Sequence, residues 1–142
     1  ALLLAVLTRF LPPDDPRIRA TVLAIADELT EEGLVLRYRV EQTDDGLSGE
    51  EGTFTICSFW LVSALVEIGE FHRAKHLCER LLSFASPLHL YAEEIEPRTG
   101  RHLGNFPQAF THLALINAVV HVIRAEEEAD SSGNFQPANA PM

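Results

Sequence analysis

Five segments with helical apolar periodicity follow one another along the 142-residue chain, and two kinds of helix alternate strictly among them. Residues 2–10, 53–68 and 108–126 carry apolar side chains on nearly every helical face, which is typical of buried helices. Residues 16–32 and 71–85 are amphipathic, with an apolar stripe opposite a charged face. This order is expected when the chain passes between an inner and an outer layer of helices at every turn. The sequence therefore predicts an all-α arc of an α/α toroid, with inner and outer helices alternating.

Local signals place the ends of these helices. Asp15 followed by Pro16 predicts an N-cap with proline in the first turn, and Gly33 and Gly69 predict helix ends. Residues 34–40 alternate apolar and polar side chains, which predicts a short extended element inside a loop rather than the core of a sheet.

Two long polar loops, residues 33–52 and 86–107, lead into inner helices and therefore meet at one mouth of the predicted toroid. Loops of this length in a small domain are usually functional. Five helices do not close such a ring, so either upstream helices complete it or the arc is a short solenoid. We expect the first reading, because no fixed-period repeat is visible.

Composition narrows the classes of partner. With 11 basic and 21 acidic residues the chain carries a net charge of −10, which disfavours nucleic acid and membrane surfaces and fits an uncharged or cationic ligand. Cys57 and Cys78 lie in apolar helical patterns, as reduced thiols do, and residues 1–7 lack the basic start of a signal peptide. These features predict a cytoplasmic protein, with a disordered tail over residues 128–142.

Carboxylates concentrate in the second long loop, where Glu93, Glu94 and Glu96 follow Tyr91. A carboxylate at the mouth of a helical barrel can act as a general base toward water, provided that a partner acid lies across the substrate at about 6.5–9.5 Å. A solvated acidic loop without catalytic function is the alternative that these residues alone leave open.

The run LYAEEIEPRTGRHLGNFPQAF at residues 90–110, preceded by EGTF at 51–54 and CSFWL at 57–61, resembles the C-terminal part of glycoside hydrolase family 15. That family holds glucoamylases, glucodextranases and bacterial trehalases. The resemblance covers residues 1–127 as one part of a catalytic domain. It implies an incomplete (α/α)6 toroid and an inverting attack of water on an α-glucosidic bond.

Carried over residue by residue, the resemblance makes Glu93 the general base. Glu94 would take that role if the alignment slipped by one position. The family's general acid lies upstream, and no segment of this chain resembles it. The chain alone is therefore expected to be inactive and to supply the base to a longer parent protein.

The resemblance also assigns substrate contacts. Arg37 and Tyr38 match a pair that borders the sugar site, where a guanidinium can bind vicinal hydroxyls and a ring can stack on a pyranose; a surface cross-strand pair is the alternative. Glu51 and Gly52 lead into an inner helix and would face the same mouth. Glu51 could bind hydroxyls or simply favour the positive end of that helix.

No cofactor motif is evident, and a requirement for phosphate or a divalent ion stays open. His72, His76 and Glu79 have metal-ligand spacing on one helix, but we interpret them as a solvated face and expect no metal. The resemblance favours hydrolysis of trehalose, as the α-glucoside partner, over glucoamylase or glucodextranase action on α-glucans. A non-catalytic helical interaction module is the other alternative, and a homo-oligomer is left open.

Overall fold

The computed structural model describes residues 2–36 and 53–132, and this part of the chain is mostly helical with a few short strands. The elements in chain order are α1 (Leu4–Leu7), α2 (Pro16–Glu28), β1 (Thr30–Glu31), β2 (Leu34–Val35), β3 (Thr53–Phe54), α3 (Thr55–Glu67), α4 (Phe71–Ser83), β4 (Glu94–Ile95), β5 (His102–Leu103) and α5 (Ala109–Ser131). The prediction of a mainly helical, all-α chain is thereby confirmed. None of the described helices is both long and apolar enough to cross a membrane.

Helix α2 starts as its sequence predicts. The Asp15 carboxylate caps it by accepting a hydrogen bond from the Arg17 backbone N–H at 2.9 Å, and Pro16 occupies the first turn. The hydrogen bonds from Arg17 lower the pKa of Asp15 to about 2. The prediction that Gly33 ends this helix is wrong, because α2 already ends at Glu28.

Gly33 instead forms the turn of a small hairpin. Strands β1 and β2 pair antiparallel with Thr30 opposite Val35, and the two turn residues Glu32 and Gly33 have φ values of +51° and +83°. Two successive positive φ values define the type I′ turn that suits the twist of a hairpin. The predicted extended element is thus confirmed at Leu34–Val35, while residues 37–40 lie outside the described residues.

Helix α3 lies at the centre of the structure, in contact with α1, α2, α4 and α5. Its buried side chains occur on most of its faces, as its all-round apolar pattern predicts: Thr55, Ser58, Phe59, Leu61, Val62, Ser63, Ala64 and Leu65. Ser58 ties the hairpin to this helix, because its hydroxyl oxygen accepts a hydrogen bond from Val35 N–H at 2.9 Å. The predicted end at Gly69 is confirmed: Gly69 N–H and Glu70 N–H donate to the Val66 and Leu65 carbonyls in a Schellman motif.

The amphipathic helices pack on this centre through one face each. Ile18, Val22 and Ile25 are the buried residues of α2, and α4 buries Ala74, Leu77, Cys78 and Leu81. Among the described residues neither cysteine forms a disulfide, and burial raises the pKa of Cys78. The one-sided burial of α2 and α4 agrees with the amphipathic patterns read from the sequence.

The two outermost apolar helices differ from expectation. Helix α1 is a single turn, Leu4–Leu7, instead of residues 2–10. Helix α5 is not buried all round: its buried residues are Thr111, Ala114, Ala118 and Val122, whereas the large side chains of Phe110, Leu113, Ile116, Val120 and Ile123 are exposed. The described part of the chain supplies neighbours to one side of α5 only. The helix continues through Ser131, past the predicted boundary at residue 127, and residues 133–142 lie outside the described residues.

Phe59 tests the packing of this core. Its side chain is fully buried in α3, and its ring meets the Tyr91 ring edge-on with centroids 5.6 Å apart. Phe59→Ala is expected to lower the free energy of unfolding of the 142-residue chain by about 3–5 kcal/mol, because it leaves a cavity under the loop. Urea unfolding measures this change. Phe10→Ala, at a side chain that is 76% exposed, is the control and should change it by less than about 0.5 kcal/mol.

Candidate functional site

The acidic loop is built as a β-hairpin. Residues 86–107 read as irregular in the sequence, but β4 and β5 pair antiparallel there, with Glu94 opposite Leu103 and Ile95 opposite His102. On its other edge β4 pairs with β3, the strand that leads directly into α3. The resulting three-stranded sheet, β3-β4-β5, places the acidic residues beside the N-terminus of a buried helix.

The chain just before β4 is held by the first residues of two helices. Thr55 N–H, at the start of α3, donates to the Glu93 carbonyl at 3.0 Å. Gln108 N–H, at the start of α5, donates to the Tyr91 carbonyl at 2.9 Å, and the Thr111 hydroxyl donates to the Ala92 carbonyl at 3.2 Å. The two backbone N–H groups have no acceptor within their own helix. The backbone at Glu93 is therefore fixed from both sides.

Tyr91 anchors this segment in the core. Its side chain is 1% exposed, and its hydroxyl donates to the Leu81 carbonyl at 3.0 Å. Burial raises the pKa of Tyr91 to about 12. His112 completes the anchor, since its Nδ1–H donates to the Gln108 carbonyl at 2.6 Å while Nε2 accepts the Tyr91 N–H at 3.3 Å. His112 is thus a satisfied structural histidine, as its position on an apolar helix predicts.

Glu93 presents a half-buried carboxylate that is fastened by one oxygen. Its Oε2 accepts hydrogen bonds from the Asn105 backbone N–H at 3.3 Å and from Asn105 Nδ2 at 3.1 Å. Within the described residues no hydrogen bond to the other oxygen, Oε1, is present. A carboxylate held in this way can accept a proton from a water molecule, which is the chemistry required of a general base.

The other two carboxylates of the loop have different surroundings. Glu96 closes the hairpin turn by accepting hydrogen bonds from the Thr99 hydroxyl and from Arg98, and these bonds lower its pKa. Glu94 lies within β4, opposite Phe54 on one side and Leu103 on the other. Because successive strand residues point to opposite faces, Glu94 does not share the direction of Glu93.

The four predicted substrate-binding residues are not among those that the structure describes. Arg37, Tyr38, Glu51 and Gly52 all lie outside the described residues. The described chain resumes at Thr53, whose hydroxyl donates to the Ile95 carbonyl at 2.8 Å. In the described ranges no cluster of three metal-ligating side chains occurs, and His72, His76 and Glu79 form none.

Two residues next to Glu93 were missed by sequence reasoning. Gly104 and Asn105 follow β5, and the sequence offered only a glycine and an asparagine in a loop, a pair typical of turns. The hydrogen bonds of Asn105 and the φ of +71° at Gly104 become apparent only once β5 is paired with β4.

The sequence matches a recognised family of enzymes over most of its length. The chain belongs to the glycosyl hydrolases of family 15, whose sequence pattern it matches over residues 1–76 and 70–120. The resemblance noted in the sequence is thereby confirmed.

Individual relatives agree with this assignment. The chain is 94% identical to a trehalase of Mycolicibacterium smegmatis and 91% identical to a trehalase of Mycobacterium tuberculosis, over all 142 residues. It spans 21%, about a fifth, of the length of each. It is also 43% identical to a trehalase of Thermoplasma acidophilum over 108 residues, which are 75% of this chain and 18% of that protein. No solved structure was found to match the chain.

Tyr91 gives the site a measurable pH dependence. Its folded-state pKa of about 12 exceeds the ordinary value of 10.0, so the native state keeps the phenol proton that the unfolded chain loses. The contribution of the Tyr91 phenol proton to the free energy of unfolding is therefore complete below pH 10 and is lost as the pH rises to about 12. We expect the difference in unfolding free energy between the wild-type chain and Tyr91→Phe to shrink across this range. Urea unfolding at several pH values measures it, and an unchanged difference would contradict the assignment.

Proposed function

We propose that the full-length protein containing these residues is an inverting glycoside hydrolase that cleaves trehalose, and that Glu93 is its general base. The observation that carries the proposal is the carboxylate of Glu93, which Asn105 fixes through Oε2 at the junction of α3, α5 and the hairpin. Membership of family 15 and the trehalase names of the relatives support the substrate class.

The chemistry follows from the arrangement. Glu93 Oε1 removes a proton from a water molecule as that water attacks the anomeric carbon on the face opposite the departing sugar. A carboxylic acid about 6.5–9.5 Å away protonates the leaving oxygen, and we place this acid in the part of the protein outside residues 1–142. Arg37, Tyr38, Glu51 and Gly52 are proposed to contact the sugar. The 142-residue chain by itself therefore lacks half of the catalytic pair.

The anomers released from trehalose test the mechanism. Trehalose joins two glucose units through both anomeric carbons in the α configuration. Inversion at one carbon yields one β-glucose and one α-glucose, and proton NMR distinguishes them before mutarotation. Equal initial release of the two anomers is expected from the full-length protein, and α-glucose alone would contradict inversion. Glucose release only from maltodextrins would favour the glucoamylase alternative, and none from either substrate would favour the helical interaction module.

Glu93→Gln in the full-length protein is expected to lower kcat by about a hundredfold to ten-thousandfold, because the amide cannot accept the proton from water. The substitution is nearly isosteric, so the thermal unfolding midpoint should be almost unchanged. Glu94→Gln is the matched control in the neighbouring position and should retain more than about a tenth of the wild-type kcat. The opposite ranking of the two variants would move the role to Glu94.

We propose further that the chain is an arc of an (α/α)6 toroid, in which α1, α3 and α5 belong to the inner layer and α2 and α4 to the outer layer. The exposed apolar side of α5 supports this arrangement, since Phe110, Leu113 and Ile116 are 67%, 58% and 57% exposed. Helices from the remaining length of the protein would cover that side. A cytoplasmic location and a possible self-assembly of the protein stay predictions.

The toroid predicts that one substitution has different effects in two lengths of chain. Ile116→Ala should destabilise the full-length protein by about 2–4 kcal/mol, because the side chain is covered there. In the 142-residue chain, where Ile116 is 57% exposed, it should change stability by less than about 0.5 kcal/mol. Thermal unfolding of both lengths measures the difference. Val122→Ala, at a side chain already buried here, is the control and should destabilise both.

A further inference from the structure

We propose that Gly104 and Asn105, the two residues that follow β5, are positioning residues for the general base. Asn105 binds one oxygen of Glu93, and Gly104 leaves the space in which the carboxylate lies. In the part of the chain that the structure describes, no hydrogen bond reaches the other oxygen, which is where we place the water. The inference rests on the proposed function of Glu93 and adds to it a second pair of residues on which turnover depends.

Glu93 and Asn105 bind each other through three hydrogen bonds. Glu93 N–H donates to the Asn105 carbonyl at 2.9 Å, which fixes the two backbones side by side. In return, the Asn105 backbone N–H and its Nδ2 both donate to Glu93 Oε2, at 3.3 and 3.1 Å. Both side-chain bonds therefore converge on the same oxygen. A glutamate otherwise has three flexible torsions, and this pairing restricts them before any substrate binds.

Gly104 provides the space in which the carboxylate lies. A β-carbon built at residue 104 would lie 2.9 Å from Glu93 Oε2, which is closer than real β-carbons approach another atom. It would also lie 3.2 Å from the Glu93 β-carbon, which is a tight contact. The backbone also has a φ of +71° there, a conformation that favours glycine. Any larger residue would be strained and would push the Glu93 carboxylate out of its position.

Gly69 offers a matched control for this argument. Its φ of +81° is similar, so an alanine there suffers the same backbone strain. A β-carbon at Gly69, however, would meet nothing within 4 Å. The pair Gly104→Ala and Gly69→Ala thus separates the cost of the backbone conformation from the displacement of the carboxylate.

The first experiment compares these two alanine variants in the full-length enzyme acting on trehalose. Both should lower the thermal unfolding midpoint by similar amounts. Gly104→Ala should also lower kcat by about a hundredfold with KM changed less than about threefold, since misplacement of a catalytic group by about 1 Å has effects of this size. Gly69→Ala should keep the wild-type kcat. Equal kcat values in the two variants would overturn the role of Gly104.

The second experiment changes the donor. Asn105→Asp keeps the size of the side chain but places a carboxylate against Glu93 Oε2, so kcat should fall about a hundredfold by repulsion and misorientation. Asn105→Ala keeps the backbone donor, and its kcat should fall about tenfold. Combined with Glu93→Gln, Asn105→Ala should lower the residual kcat by less than about twofold, because a positioning residue acts only through its target. A full tenfold loss in that background would indicate a merely structural role.

The failures of the two proposals are distinguishable. Loss of activity in Glu93→Gln together with wild-type kcat in Gly104→Ala and Asn105→Asp overturns the positioning role and leaves the general base intact. Wild-type kcat in Glu93→Gln overturns the proposed function of Glu93, and the positioning role with it.

Discussion

The structure depends on the hydrogen bonds that two helix N-termini make to one loop segment, residues 91–93. Helices α3 and α5 begin without side-chain caps, at Phe54 and Gln108, and so leave backbone donors without partners in their own helices. The carbonyls of Tyr91, Ala92 and Glu93 accept those donors and the hydroxyl of Thr111. The loop thereby replaces the missing caps, and the helices in turn give the loop a fixed course. Without the loop the N-terminal N–H groups of the helices would lose these acceptors, and without the helices the loop carbonyls would lose these donors.

This mutual arrangement explains why a buried tyrosine lies next to a half-buried carboxylate. The Tyr91 hydroxyl donates a hydrogen bond to the Leu81 carbonyl, and the Tyr91 ring contacts the rings of Phe59, His102 and His112. Glu93, two residues later, is on the side where the hairpin and Asn105 meet. The rigid element and the reactive group are thus separated by a single residue, so that the core determines the position of the carboxylate directly.

Features set by local chemistry were predictable from the sequence. The Asp15 cap, the Schellman motif at Gly69 and the one-sided burial of α4 all follow from short-range rules. The hairpin was not predictable, because strands of two residues, such as Glu94–Ile95, are too short to carry a period-2 pattern and their pairing joins distant parts of the chain. Glu93 was selected through the family resemblance. Gly104 was not, since its importance lies in a distance to another side chain.

The buried face of α5 has a consequence for the dimensions of the site. Ala114 and Ala118 lie one turn apart on that face, and α5 packs against α3 and α4 there. Small side chains allow helix axes to approach closely, so these two alanines act as spacers between neighbouring helices. The N-terminal residues that donate hydrogen bonds to the loop, Thr55 and Gln108, belong to α3 and α5. A larger side chain at residue 114 or 118 would therefore push the helices apart. Because helices move as rigid units, the displacement would reach their N-terminal ends and shift the Glu93 carboxylate there.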